Sequence, residues 1–98
     1  PRGIAITPNG KAAYVAIMGD EKLMRVDLST WKTRTVQIGW GPRALAFEPT
    51  GRYIYASLND EGRVVKRDLW TGRMTSATTG SRPRSLVISA DGTALPWR

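Results

Sequence analysis

The sequence predicts an all-β fold made of repeated four-stranded antiparallel sheets, and three observations carry that reading. The first is a repeat. Pro1, Pro42 and Pro83 stand 41 residues apart, and the same shift superposes Arg2, Arg43 and Arg84, and Gly10, Gly51 and Gly92. Over the two complete copies Ala5/Ala46, Pro8/Pro49, Tyr14/Tyr55, Asp27/Asp68, Leu28/Leu69, Thr30/Thr71 and Gly39/Gly80 coincide as well. The second observation is that each copy holds four short segments of strand-like composition. The third is that Pro and Gly turns separate those segments at fixed offsets, with no helical period competing anywhere. A period of about 41 residues with four strands per unit is the signature of a β-propeller blade. The 98 residues form one partial domain: blade one over 1–41, blade two over 42–82, and the start of a third over 83–98.

Each copy opens with a short apolar run, Ile4-Ala5-Ile6, Leu45-Ala46-Phe47 and Leu86-Val87-Ile88. Runs of this kind read as strands covered on both faces, which suits the innermost strand of a blade. A turn follows at the same place three times: Thr7-Pro8-Asn9-Gly10, Glu48-Pro49-Thr50-Gly51 and Ser89-Ala90-Asp91-Gly92. Proline presets the second turn position of the first two, and the glycine can take positive φ to restore the strand twist.

The second strand is expected over Ala12–Ile17 and Tyr53–Leu58, with polar connections after it. The third is expected over Leu23–Leu28, with Met24, Val26 and Leu28 on one apolar face, and over Val64–Leu69, where Arg67 replaces Val26. The fourth is expected over Arg34–Ile38 and over the threonine-rich Thr75–Thr79, whose polarity suits an exposed rim. Tyr14 and Tyr55 are expected to be equivalent and buried, with Phe47 deeper than either. In the third copy Pro96 stands where the tyrosines stood, followed by Trp97 and Arg98. Proline cannot donate to a ladder, so that copy diverges at its second strand.

Two blades and a fraction cannot close a ring, so the propeller is incomplete. Its remaining blades are expected from the same longer chain or from a homo-oligomer. Cysteine is absent, which excludes disulfides and thiolate chemistry. Histidine is absent too, which removes the commonest general base and the His metal sites. No stretch reaches the roughly 18 apolar residues of a membrane-spanning helix. The net charge is +7, with 15 basic and 8 acidic residues, and favours acidic partners over basic ones. The charges are scattered through both repeats with no run of five, so the reading is a solvated surface, and nucleic acid is disfavoured as a partner.

The order Pro-x-x-(Ile/Leu)-Ala-(Ile/Phe), Pro-(Asn/Thr)-Gly, Tyr-(Val/Ala)-(Ala/Ser), Asp-Leu-x-Thr resembles the YVTN family of β-propeller repeats. The resemblance covers all but the last few residues. The family's Tyr-Val-Thr-Asn is degraded to Tyr14-Val15-Ala16-Ile17 and to Tyr55-Ala56-Ser57-Leu58. Members occur among surface-layer and cell-surface proteins, lactonase-like enzymes and modules of larger secreted proteins. The resemblance thus implies an extracellular or cell-surface setting and a non-catalytic module for ligand or protein binding. The alternative it implies is part of a lactonase-like hydrolase.

Candidate site residues follow from position. Arg2, Arg43 and Arg84 each start an innermost strand directly after a proline, so propeller symmetry sets them around one mouth of the central channel. Guanidinium groups converging there suit a carboxylate or phosphate, hence a small anionic ligand. Trp40 lies in the same connection between Gly39 and Gly41, which leaves its indole exposed and mobile as an aromatic platform. Trp31 and Trp70 are out of register (31 aligns with 72) and read as covers for rim surface. Asp27 and Asp68 recur at the end of the third strand, where a short carboxylate would bond the following turn or a blade arginine. Asp20-Glu21 and Asp60-Glu61 lack the further carboxylates a calcium loop needs. No catalytic residue, metal site or cofactor is assigned.

Overall fold

The computed structural model describes residues 3–17, 21–59 and 61–79, together with the backbone of two short strands at 86–88 and 94–96. The first sheet takes its strands in sequence order: β1 (Ile4–Ile6), β2 (Ala12–Ala16), β3 (Lys22–Asp27) and β4 (Thr33–Gln37). The second repeats the order with β5 (Pro42–Phe47), β6 (Tyr53–Leu58), β7 (Arg63–Asp68) and β8 (Met74–Thr78). β9 (Leu86–Ile88) and β10 (Ala94–Pro96) pair as a further hairpin, and Pro96 falls on the last position of its strand. All pairings are antiparallel. The first strands β1, β5 and β9 lie beside one another, so the sheets fan outward from a shared inner edge.

The repeat in sequence is a repeat in register. Ala5, Tyr14, Arg25 and Arg34 form one cross-strand row. Ala46, Tyr55, Lys66 and Thr75 form the same row 41 residues on. The first hairpin closes as its turn residues dictate. The Gly10 amide donates to the Thr7 carbonyl at 2.8 Å and Gly51 to Glu48 at 3.0 Å, with the glycines at φ 72° and 80°. Left-handed backbone of this kind is nearly free for glycine and costly for other residues.

Alternation along the strands settles which faces meet. Tyr14, Leu23 and Val36 share one face of the first sheet, and Ile54, Ala56, Leu58 and Val65 share one face of the second. These residues form the buried cluster between the sheets. Phe47 joins them by setting its ring against that of Tyr14 at 5.2 Å, edge to face, a preferred aromatic geometry.

Three expectations change here. Ile4 and Ile6 are 66% and 51% exposed, so β1 is not covered on both faces. Their face, shared with Met24 and Val26, points away from the second sheet. The buried residue of β3 is Leu23, on the opposite side. Phe47 does not lie deeper than the tyrosines: it is half-buried, whereas Tyr14 and Tyr55 are buried. It stands at the end of β5 beside the exposed turn at Pro49 and Thr50.

Candidate functional site

Arg43 is the residue the fold singles out. The register between β5 and β6 slips between Pro42, opposite Leu58, and Ala44, opposite Ser57, which leaves Arg43 as the extra residue of a β-bulge. Bulges bend a strand and re-aim a side chain. The Ser57 hydroxyl accepts from the Ala44 amide at 3.0 Å, fixing the strand just after the slip. Gly3 of the first sheet backs onto the Arg43 carbonyl so closely that a Cβ there would collide with it. The Arg43 backbone is therefore held from both sides. Arg43 is half-buried, and its guanidinium makes no ion pair or hydrogen bond among the described residues.

The connection carrying Trp40 is clamped. The Trp40 amide donates to Glu61 Oε2 at 2.7 Å, while Glu61 Oε1 pairs with Arg63 Nη2 at 2.7 Å. The Ile38 and Gly39 amides both donate to the Glu21 carbonyl at 3.0 Å. The Asn59 amide donates to Gly41. The flanking glycines thus serve a purpose other than freeing the indole. Gly39 and Gly41 adopt φ 130° and 73°, and a Cβ on Gly39 would lie 2.5 Å from Leu58 Cδ1. Trp40 itself remains 47% exposed. The buried Oδ1 of Asn59 has no hydrogen-bond partner among the described residues, an unusual state for a buried acceptor. The sequence offered no pointer to Glu61 or Asn59 beyond their place in a polar connection, because their partners lie about twenty residues away.

Arg2 and Arg84 lie outside the described residues, as do Asp20 and Asp60. Of the expected set the structure therefore describes Arg43, in β5, and Trp40, in the connection that leads into that strand.

Asp27 and Asp68 hold turns. Asp27 Oδ1 accepts from the Ser29 amide at 2.9 Å, the Ser29 hydroxyl at 2.8 Å and the Thr30 amide at 3.0 Å. Asp68 Oδ1 accepts from the amides of Trp70 and Thr71, and its Oδ2 takes Arg52 Nε at 3.1 Å and Nη2 at 2.8 Å. The Ser29 hydroxyl first, then the turn amides, pull the Asp27 carboxyl from 3.8 to about 2. Arg52 leads the same effect at Asp68, also to about 2, and the pair raises Arg52 in turn. Carboxylates so committed to local donors stay ionised and do not suit proton transfer near neutrality. Among the described residues no three acidic side chains gather as a metal site would require. Trp31 and Trp70 are 71% and 73% exposed, and the Arg52 guanidinium lies 4.7 Å from the Trp70 ring centre.

No protein-family model matches the chain, and no curated protein does. Solved structures do. Hydrazine synthase from Kuenenia stuttgartiensis matches with a TM-score of 0.89 and 24% identity over 98% of this chain and 28% of that one. A putative 6-phosphogluconolactonase from Bacteroides uniformis matches at 0.75 and 24%, over 98% and 32%. The β-propeller domain of Cps50 (Swd1) from Myceliophteria thermophila matches at 0.75 and 15%, over 87% and 26%. The chain is a run of β-propeller blades. It spans about a third or less of the length of each of these solved chains, and at these identities the likeness shows the fold alone.

Proposed function

We propose that the chain is a non-catalytic β-propeller binding module of a cell-surface or secreted protein of the YVTN repeat type, and that it recognises a small organic anion at the inner mouth through Arg43 and Trp40. One observation carries the reading. Arg43 is a bulged residue with its backbone held on both sides and its guanidinium unpaired among the described residues. An arginine so pre-organised is suited to bidentate contact with a carboxylate. Trp40, three residues before it in the chain, supplies an exposed apolar face. A uronic acid combines a carboxylate for the first with an apolar sugar face for the second. The equivalent Arg2 and Arg84 would add to the same mouth.

The test is calorimetry with glucuronate and galacturonate. Arg43→Lys keeps the charge and loses the fork, so affinity should fall by about tenfold. Equal binding by both proteins, or binding by neither, would remove the site.

The likeness to a putative 6-phosphogluconolactonase favours a second reading, part of a lactonase-like hydrolase. Against it stands the commitment of Asp27 and Asp68 to turn bonds, and of Glu61 to Trp40 and Arg63. Turnover of 6-phosphogluconolactone above the spontaneous rate, lost in Arg43→Ala, would establish that reading instead.

A further inference from the structure

Positive charge that looks scattered along the chain is gathered by the fold. In blade two Arg52, Lys66 and Arg73 line a shallow depression of about 410 Å³ together with Tyr53, Asp68 and Thr75. A shift of 41 residues lays Lys11, Arg25 and Lys32 of blade one on those three cations, and Arg34 on Thr75. Both blades therefore carry three or four cations at matching positions of matching strands.

Two further observations separate the set from ordinary surface charge. Arg25 stands directly opposite Arg34 on neighbouring strands, an arrangement that costs stability when the charges are alike. Neither has an ion pair among the described residues. The set also stays open when a neighbouring blade packs against its face. Blade two covers that side of blade one, yet Lys11, Lys32 and Arg34 are exposed and Arg25 is only half-buried. Of the blade-two set, Arg52 alone is matched by an acid among the described residues, Asp68 at 2.8 Å. The Lys66 ammonium sits 4.2 Å above the Tyr53 ring, which holds it in place without neutralising it.

We infer that the two sets form a cationic strip that binds an extended acidic polysaccharide lying across neighbouring blades. The choice of polymer rests on what repeats. The cations are in register between blades, whereas Trp31 and Trp70 are not, so the strip presents regularly placed charge without a matching series of stacking platforms. Single-stranded nucleic acid draws on stacked aromatics for successive bases. A polyuronate offers one carboxylate per sugar, the acceptor that arginine matches best. The strip is distinct from the mouth around Arg43 and does not rest on it.

The test measures retention of the 98-residue chain by polygalacturonate, with dextran as the neutral polymer and oligothymidylate as the nucleic acid. The wild type should bind polygalacturonate and not dextran, and more weakly at higher salt. Lys32→Gln/Arg34→Gln and Lys66→Gln/Arg73→Gln should each weaken binding by about tenfold and flatten its salt dependence. The charge-keeping pair Lys66→Arg/Arg73→Lys should bind like wild type, which separates lost charge from lost fold. Failure of the wild type to prefer polygalacturonate over dextran overturns the proposal. So do wild-type binding by both Gln pairs, loss of binding in the charge-keeping pair, or tighter binding of oligothymidylate.

Discussion

Asp27 and Asp68 show how one residue type fixes one feature of the fold twice. Each ends its third strand and ties down the turn that follows, as the spacing of the two aspartates already implied. Both carboxyls are held near 2 in the folded chain against 3.8 ordinarily. A depressed folded value means that their stabilisation is complete above about pH 4 and is lost as the pH falls toward 2. Melting temperature should therefore drop across that window, and Asp27→Asn and Asp68→Asn should each flatten the drop. Asp68→Ala should be the more damaging alanine change, since it also strands the Arg52 guanidinium. Trp31 makes the opposite case. It adopts φ 63° where the second copy has Gly72 at φ 81°, and it is largely exposed. Trp31→Gly should stabilise by roughly 1 kcal/mol by relieving left-handed backbone, and Gly72→Ala should destabilise by a similar amount. Denaturant titration of the two variants checks both signs.

At the scale of elements, the hairpins were legible and the packing was partly so. Proline, a polar residue and glycine specify a turn by local sterics alone, and β6 runs over Tyr53–Leu58 as its composition indicates. Which face of a strand is covered depends on the neighbouring sheet, and alternation by itself does not name that neighbour. Met24 and Val26 therefore read as core although Leu23 is the buried member of β3. The bulge at Arg43 was equally out of reach, because it is a mismatch between two strands and a property of neither. The Tyr14–Phe47 contact joins the two sheets at one point. Phe47→Ala should cost about 3 kcal/mol, the lower end for a core phenylalanine, since the ring is half-buried. Phe47→Leu should recover most of that loss, and a near-neutral alanine variant in denaturant titration would mean that the sheets are held together elsewhere. Gly39→Ala should cost stability through both its positive φ and the approach to Leu58 Cδ1, loosening the clamp on Trp40.

For the whole molecule, the 41-residue period specified the architecture, and alignment across repeats, which linear spacing hides, sets Lys11, Arg25 and Lys32 at the positions of Arg52, Lys66 and Arg73. The same periodic construction leaves the first sheet with an apolar face that no described element covers, carrying Ile4 and Ile6 at 66% and 51% exposure. Blades bury such faces against one another. In the second sheet the equivalent face carries Leu45 and Phe47, both partly buried by the first sheet, so the fold itself displays the contact that β1 lacks. A second copy could supply it by setting the free side of its last blade against β1. In isolation the chain should therefore self-associate in a head-to-tail manner rather than as a two-fold dimer, because the two mating faces differ. Sedimentation velocity across a concentration series should show species larger than 10.8 kDa, and Ile4→Lys/Ile6→Lys should return the chain to monomer while its strand content by circular dichroism persists. A wild-type chain that sediments as a single monomer at every concentration would mean that this apolar face is tolerated in water and that no further blade is needed to cover it.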